Sequence, residues 1–344
     1  MRRPSLWTLL PLLPLAPLAL MLHRRAPRYE FRQRVVAITG GSRGLGLALA
    51  RALVDEGARV ALLARDGAEL ARAKAALPPT AAVLTVECDV RDPRQARQAM
   101  VTIDAAWGGL DILVNNAGVI LSAPLTETTD EDVEALLDVH LWGTWHMSRA
   151  ALPLLTRRRD PRIVNIVSIG GKVGVPHLSA YCASKFAQAG LSAAMAEELR
   201  GRGIRVVTVF PGLMRTGSHL NARFKGDLRA EYANFAMAAT LPGVSMGVER
   251  AARAIVRAIR RGQAEAVLPF TVRQAARAAA LAPNAVVTAL GGINDWLPAG
   301  HSRRAGVAAV RGADIGLPAP VRAAATLGER SADRHNQRLA RRLD

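Results

Sequence analysis

The chain has 344 residues, half of them hydrophobic, and a formal net charge of +18 at pH 7. Residues 1–34 hold seven Arg and one Glu, and residues 270–344 hold eleven Arg and five acidic residues, so two thirds of the excess charge lies at the two ends. We do not expect nucleic-acid binding, because neither a zinc-finger spacing nor a basic helix with interleaved aromatic residues accompanies this charge. The two cysteines, Cys88 and Cys182, have no metal-ligand spacing, so no metal site is expected.

Residues 1–28 contain a hydrophobic stretch, residues 6–22, without a charged side chain. As a helix this stretch would rise about 25 Å, just short of the hydrocarbon core of a bilayer. We interpret it as an uncleaved membrane anchor; a cleaved secretory signal and a disordered or misassigned start extension are the alternatives. Because more arginines follow the stretch than precede it, a membrane-associated protein with its body on the cytoplasmic side is predicted.

Short apolar runs alternate with longer helical segments between residues 29 and 269, which are predicted to form one domain. The strands are predicted at residues 35–39, 59–64, 82–88, 111–115, 162–168, 204–210 and 266–269. The helices are predicted at residues 44–56, 66–77, 92–107, 130–156, 178–202 and 249–262. Continuous Val, Ile and Leu content is typical of strands buried on both faces. The pattern predicts an α/β fold, a Rossmann-like doubly wound parallel sheet of about seven strands with helices on both faces.

A glycine-rich segment, TGGSRGLG at residues 39–46, follows the first predicted strand and opens the first predicted helix. Glycines allow a sharp turn and a close approach to a pyrophosphate, whose charge then rests on the helix N-terminus. The segment therefore predicts a dinucleotide site. The residues expected to hold the cofactor here are Thr39, Gly40, Ser42, Arg43, Gly44, Leu45 and Gly46.

The end of the second predicted strand indicates which dinucleotide is used. Where a site selective for NAD would place a carboxylate, this chain has Ala64 and Arg65, and Arg43 lies in the glycine loop. Two guanidinium groups suit a 2′-phosphate, so NADP(H) is favoured over NAD(H). Asp66 is interpreted as the N-cap of the second helix. Asp89, followed by Val90, ends the third strand and is expected near the adenine amino group.

Further motifs follow the later strands in a fixed order. They are Asn115-Asn116-Ala117-Gly118, Ser168, Tyr181 with Lys185, and PGLMRT at residues 211–216. Together with the glycine loop and Asp89, they resemble the short-chain dehydrogenase/reductase family of the single-domain type over about residues 34–270. This resemblance implies that Asn116, Ala117, Gly118, Tyr181, Lys185, Pro211, Gly212 and Thr216 complete the cofactor site. It also implies a homodimer or homotetramer that pairs through the helices predicted at residues 130–156 and 178–202.

Tyr181 and Lys185 lie one turn apart on one face of a predicted helix. The pKa of a free phenol is about 10, and a neighbouring ammonium, together with the positive charge of an oxidised nicotinamide, is expected to lower the pKa of Tyr181. Tyr181 would then be a general acid for carbonyl reduction, or a base in the reverse direction. Under the resemblance, Lys185 also holds the nicotinamide ribose, and Ser168 donates a hydrogen bond to the substrate oxygen.

The sequence departs from the family at His140, where most members have an asparagine that supports a water in the proton relay. An imidazole can also donate and accept hydrogen bonds. His140 is therefore expected either to take over the relay, as a catalytic residue, or only to pack while the relay takes another route.

Residues 213–248 are predicted to form the substrate lid, and residues 173–178 the opposite wall. The apolar residues of the lid favour a lipophilic carbonyl or alcohol, unless they only pack the lid on the body. They are Leu213, Met214, His219, Leu220, Phe224, Tyr232, Phe235 and Met237. In the C-terminal extension, residues 270–344, a helix starting at Pro283 is predicted, with an apolar face that docks on the body, a partner subunit or a membrane. Beyond Pro298 the extension is expected to be partly disordered.

The function predicted from these residues is an NADP(H)-dependent oxidoreductase that interconverts a lipophilic carbonyl and its alcohol. Two alternatives are a redox sensor that binds NADP(H) without turnover, and a nucleotide-sugar epimerase or dehydratase on the same fold.

Overall fold

A computed structural model describes residues 29–298, 308–316 and 319–338. It divides the chain into residues 1–30 and 31–344, and the fold lies in the second unit. Seven strands form the central sheet: β1 Val35–Thr39, β2 Arg59–Ala64, β3 Val83–Glu87, β4 Ile112–Asn115, β5 Arg162–Ile166, β6 Arg205–Pro211 and β7 Glu265–Leu268. Their order is β7-β6-β5-β4-β1-β2-β3, with every neighbouring pair parallel. The predicted fold class is confirmed.

The helices of the described part are α1 Gly44–Asp55, α2 Gly67–Ala75, α3 Pro93–Trp107, α4 Asp130–Leu137, α5 Gly143–Leu155, α6 Ser179–Arg200, α7 Leu228–Thr240, α8 Val248–Arg261, α9 Phe270–Leu281, α10 Pro283–Asn294 and α11 Ala319–Arg334. A π-helical turn, Asp138–Trp142, divides the helix predicted at residues 130–156 into α4 and α5. Helix α10 begins at the predicted proline. Helices α7, α9 and α11 were not predicted.

Local sequence explains where the main helices begin. The side chain of Asp66 accepts a hydrogen bond from the backbone N–H of Glu69 and so caps α2, as predicted. Asp92 caps α3, whose first residue is a proline. Thr129 and Asp132 form a reciprocal capping box at the start of α4. These caps set the helices directly after the loops that leave the carboxyl ends of the strands.

The order of the strands positions the site. From β1 the chain runs through β2 to β3 on one side of the sheet, and from β4 through β5 to β7 on the other. The crevice between β1 and β4 at the carboxyl ends is where such sheets bind ligands. A small sheet of Leu121–Ser122, Arg223–Phe224 and Val310–Arg311 joins the lid to the body and to the C-terminal extension.

Within the described ranges, no single helix is long and apolar enough to cross a membrane. Helices α9 and α10 pass that test only together, and they are bent by 119° where they meet. The anchor predicted within residues 1–28 lies outside the described residues. Membrane attachment and assembly into a homodimer or homotetramer therefore stay predictions.

Candidate active site

A cavity of about 1030 Å³ lies over the carboxyl ends of the strands. Its lining contains nearly all of the predicted site residues: Gly40, Ser42, Arg43, Gly44, Leu45, Arg65, Asp89, Val90, Asn116, Ala117, Gly118, His140, Ser168, Tyr181, Lys185, Pro211, Gly212 and Thr216. Residues separated by more than 170 positions in the sequence thus meet in one place. The other two predicted residues, Thr39 and Gly46, support the glycine loop.

The glycine loop is held by the strand next to it. The Thr39 hydroxyl accepts the backbone N–H groups of Asn116 at 2.9 Å and Ala117 at 3.0 Å. The side chain of Asn116 donates in return to the carbonyls of Thr39 at 3.0 Å and Gly40 at 3.1 Å. A β-carbon on Gly46 would collide with the Gly40 carbonyl. The loop is therefore a fixed, narrow cradle at the N-terminus of α1, a shape that fits the pyrophosphate of a dinucleotide.

A buried carboxylate at the adenosine end was missed in the sequence. Glu69 is only 5% exposed, and it accepts hydrogen bonds from Arg43 at 3.0 Å and from Ser42 at 2.9 Å. The guanidinium of Arg43 is therefore already paired. Arg65 lines the cavity and forms an ion pair with none of the described residues. The clue in the sequence was the position of Glu69 in the first turn of the helix that Asp66 caps.

Asp89 lies at the same end of the cavity, as predicted, and is itself paired. Its carboxylate is 2.6 Å from a guanidinium nitrogen of Arg91. Burial alone would raise the pKa of Asp89, but the hydrogen bonds from Arg91 lower it overall. Asp89 therefore stays ionised, as an acceptor for an amino group requires.

Ser168 follows β5, and Tyr181 lies near the start of α6, with their side chains in contact range. Burial raises the pKa of Tyr181 to about 12, although a hydrogen bond with Ser168 opposes the shift. This pKa was predicted to fall beside Lys185 and an oxidised nicotinamide, but among the residues that the structure describes its net shift is upward. Burial is the largest cause of the shift, and the Lys185 nitrogen is 6.0 Å from the centre of the Tyr181 ring. The phenol is therefore fully protonated at neutral pH, the state that a proton donor needs.

Lys185 is connected to a chain of buried polar groups that the sequence did not reveal. Its ammonium donates to the Ile166 carbonyl at 3.2 Å and to the Gln188 side-chain oxygen at 2.9 Å. The Gln188 amide donates to the Thr144 hydroxyl at 2.9 Å, which donates to the His140 carbonyl at 2.7 Å. Burial lowers the pKa of Lys185 from 10.5 to about 7. Gln188 and Thr144 thus link the lysine to the π-helical turn through the carbonyl of His140.

The imidazole of His140 faces the loop after β4 and helix α6. Its Nε2 accepts the backbone N–H of Val119 at 3.1 Å, so the proton sits on Nδ1, which donates to the Ser184 hydroxyl at 2.8 Å. Ser184 in turn donates to the Tyr181 carbonyl at 2.7 Å. The ring also packs edge-on against the Tyr181 ring, with 5.6 Å between centroids. The ring of His140 thus positions Tyr181, while its carbonyl reaches Lys185 through Thr144 and Gln188.

The replacement His140→Asn is expected to make the protein less sensitive to acid. Burial, and next the charge of Lys185, keep the pKa of His140 well below 6.5. Below pH 6.5 the unfolded chain binds a proton at this histidine that the folded protein does not, so stability is lost as pH falls. Between pH 7 and pH 5 the wild type should lose about 2 kcal/mol more free energy of unfolding than the variant. Urea unfolding across this pH range measures the difference.

The control is the free energy of unfolding of both proteins at pH 8. The difference between them at that pH is the part of the effect of the replacement that does not depend on pH. Parallel pH dependences for wild type and variant would contradict the expectation.

The predicted substrate side of the cavity, between the lid and the facing loop, has a largely apolar lining. Leu213, Met214 and Phe235 of the lid and Val175 to Leu178 of the facing loop contribute to it. The predicted lid residues His219, Phe224 and Tyr232 instead stack on one another inside the lid. Of the eight named lid residues, Leu213, Met214 and Phe235 line the cavity, whereas Leu220 and Met237 do not, nor do His219, Phe224 and Tyr232. The role of the lid in substrate binding stays a prediction.

Two features of the substrate side were not predicted. Leu290, Ile293 and Leu297 of the C-terminal extension line the cavity, so α10 and the residue run after it face the site. The second feature is the Glu231 carboxylate, which forms a hydrogen bond of 2.5 Å with the ring of His177 and accepts one of 3.0 Å from the Ser122 hydroxyl. The apolar periodicity of α10 predicted that one face of the helix docks, but it did not indicate that this face lines the cavity.

The family model described as short chain dehydrogenase matches residues 34–225, more than half of the chain. The chain belongs to the short-chain dehydrogenase/reductase family. It is an oxidoreductase of this type, acting on alcohol or carbonyl substrates with a nicotinamide cofactor.

Several characterised and uncharacterised members are similar to this short-chain dehydrogenase/reductase. An uncharacterized oxidoreductase of Mycobacterium bovis is 38% identical over 53% of this chain and 74% of its own length. A 3-dehydrosphinganine reductase of Arabidopsis thaliana is 38% identical over 56% of this chain and 59% of its own. Among solved structures, the NADPH-bound short chain oxidoreductase of Pseudomonas aeruginosa, described as containing an atypical catalytic center, is 30% identical. It covers 70% of this chain and 98% of its own, with a TM-score of 0.60.

Proposed function

We propose that the protein is an NADP(H)-dependent reductase of a lipophilic carbonyl, or the dehydrogenase of the corresponding alcohol, with Tyr181 as its general acid/base. The observation that carries the proposal is geometric: Tyr181, Ser168 and Lys185 line one cavity together with the glycine loop and with apolar side chains of the lid.

The cofactor would be held by the predicted cofactor residues that line the cavity. The glycine loop would receive the pyrophosphate, Arg65 and the paired Arg43 a 2′-phosphate, and Asp89 the adenine amino group. Lys185 would hold the nicotinamide ribose. When bound, the nicotinamide supplies or accepts the hydride. The NADPH-bound relative from Pseudomonas aeruginosa supports this choice of cofactor.

The side chains then divide the proton chemistry between them. Tyr181 gives its proton to the carbonyl oxygen of the substrate, and Ser168 stabilises that oxygen by a hydrogen bond. The ammonium of Lys185 favours the phenolate that this transfer leaves. Gln188 and Thr144 hold the ammonium in place, and His140 holds the backbone of Tyr181 through Ser184. His140 is proposed as a positioning residue rather than one that touches substrate.

The substrate is proposed to be lipophilic because apolar side chains from three parts of the chain line the predicted substrate side of the cavity. Leu290, Ile293 and Leu297 come from the C-terminal extension and lie at a distance in sequence from the lid and the facing loop. Ile293 is 54% exposed, which leaves an apolar edge at the cavity that an aliphatic chain can cover. Named relatives, such as the 3-dehydrosphinganine reductase, have substrates of their own. The proposal of a lipophilic substrate therefore depends on the cavity lining of this chain.

The test is NADPH oxidation with aldehydes and ketones of increasing chain length. kcat/KM should rise with each added methylene, by up to about fourfold per buried group, because about 0.8 kcal/mol is gained for each. Leu290→Asp should remove that rise. Val287→Asp is the matched control, since Val287 is 70% exposed on the same helix and does not line the cavity.

A kcat/KM that does not depend on chain length would contradict the lipophilic substrate. NADPH binding without turnover of any carbonyl tested would contradict the reductase and favour a redox sensor.

A further inference from the structure

The C-terminal segment, residues 335–337, lies directly against the glycine loop at the opposite end of the sequence. The carbonyl of His335 accepts the backbone N–H of Gly44, the first residue of α1, at 2.8 Å. The side chain of Asn336 donates to the carbonyls of Ser42 at 2.9 Å and Glu69 at 3.1 Å. One loop N–H that could face a phosphate is therefore used by the protein itself.

Helix α11 fixes this segment to the body of the protein. The Ser331 hydroxyl donates to the Arg215 carbonyl at 2.6 Å, and Arg51 donates to the Arg334 carbonyl at 3.0 Å. Ala332 is fully buried and lies so close to Gly217 that any β-carbon there would collide with it. The position of the segment is thus set by contacts on both sides.

The side chain of Gln337 is the unusual group in this segment. It is only 5% exposed and lines the cavity beside Gly44 and Thr216. Its side-chain oxygen accepts from Asn221 at 2.7 Å, which orients the amide and turns Nε2 toward Gly44. Among the described residues, Nε2 has no acceptor. A buried amide nitrogen with free N–H groups at the N-terminus of a helix calls for an anionic oxygen.

We propose that Gln337 is a cofactor-binding residue, whose side-chain N–H donates to the pyrophosphate of the bound dinucleotide. The amide lies next to Gly44. It offers an N–H group in place of the backbone N–H of Gly44, which already donates to the carbonyl of His335. The C-terminal segment therefore completes the cofactor site, rather than only covering the body. The inference rests on the proposed function, since it needs a dinucleotide in the glycine loop.

Equilibrium binding of NADPH to the full chain, measured by calorimetry, tests the proposal without any turnover. Gln337→Glu keeps an oxygen for Asn221 but places a negative charge beside Gly44, so Kd should rise about 100-fold. Gln337→Leu removes the donor and should raise Kd about tenfold. The matched control Gln263→Glu adds the same charge at an exposed position after α8 and should bind NADPH as the wild type does.

Adenosine 2′-monophosphate, which has no pyrophosphate, separates a lost phosphate contact from a damaged site. Gln337→Leu should bind it as tightly as the wild type. Unchanged NADPH affinity in both Gln337 variants, tighter binding in either, or an equal loss for both ligands would overturn the inference. If one of these results is found and the wild type still binds and oxidises NADPH, the inference about Gln337 is wrong and the proposed function stands. A wild type that binds no NADPH overturns the proposed function and the inference together.

Discussion

Replacing Tyr181 by phenylalanine is expected to lower kcat for carbonyl reduction about 10²–10⁴-fold, the usual contribution of a general acid. The replacement removes one oxygen from a buried ring that His140 and Lys185 keep in place through other atoms. The Kd of NADPH should change less than about threefold, because the lost hydroxyl is proposed to serve the substrate oxygen. Single-turnover kinetics at saturating NADPH, combined with calorimetry, measures the two quantities separately.

The matched control is Tyr232→Phe. Tyr232 is a buried tyrosine, 2% exposed, that stacks inside the lid and does not line the cavity. Its replacement should leave kcat within about twofold of the wild type. A Tyr181→Phe variant that keeps more than a tenth of the activity would show that another group donates the proton.

The second large effect concerns the choice of cofactor. Arg65→Ala should raise the KM of NADPH about 10–100-fold, because one charge-assisted contact to a 2′-phosphate contributes about 1.5–3 kcal/mol. The KM of NADH, which has no 2′-phosphate, should stay within about twofold. Arg43→Ala should act less strongly than Arg65→Ala, since Glu69 already neutralises much of the charge of Arg43.

Arg97→Ala is the control for this pair. Arg97 is an exposed arginine on α3 outside the cavity lining, so its loss changes the net charge equally without touching the site. Steady-state kinetics with both cofactors measures the ratio of specificity constants. If Arg65→Ala weakened NADPH and NADH to the same degree, Arg65 would bind a part that both cofactors share.

The strands and the glycine loop could be predicted because their signals are local. β1 and β2 coincide with the predicted residues, since continuous β-branched and leucine runs end there at a turn or a glycine. The π-helical turn at residues 138–142 could not be predicted in the same way. The apolar periodicity runs through it, and only the burial of His140 against Val119 and Ser184 shows why the helix is divided there.

Interactions between distant elements account for the remaining differences. The link from Lys185 through Gln188 to Thr144 depends on how α5 and α6 approach each other, which no spacing in the sequence states. The upward shift of the pKa of Tyr181 was not predicted because its burial in the fold was unknown. Glu69 looked like an ordinary residue of a helical first turn and is instead the partner of Arg43.

The hydrogen bond between Asn336 and Ser42 spans 294 positions of the chain. During synthesis, the glycine loop leaves the ribosome long before Asn336, so it cannot have its full set of partners until that residue has also emerged. Closing so long a loop costs only about 3 kcal/mol more than closing one of ten residues, because the entropy grows logarithmically with length. The contact therefore forms late because Asn336 is synthesised late, and its free energy is little affected by the length of the loop. Nascent or prematurely terminated chains would contain the whole sheet and still lack this finished pocket.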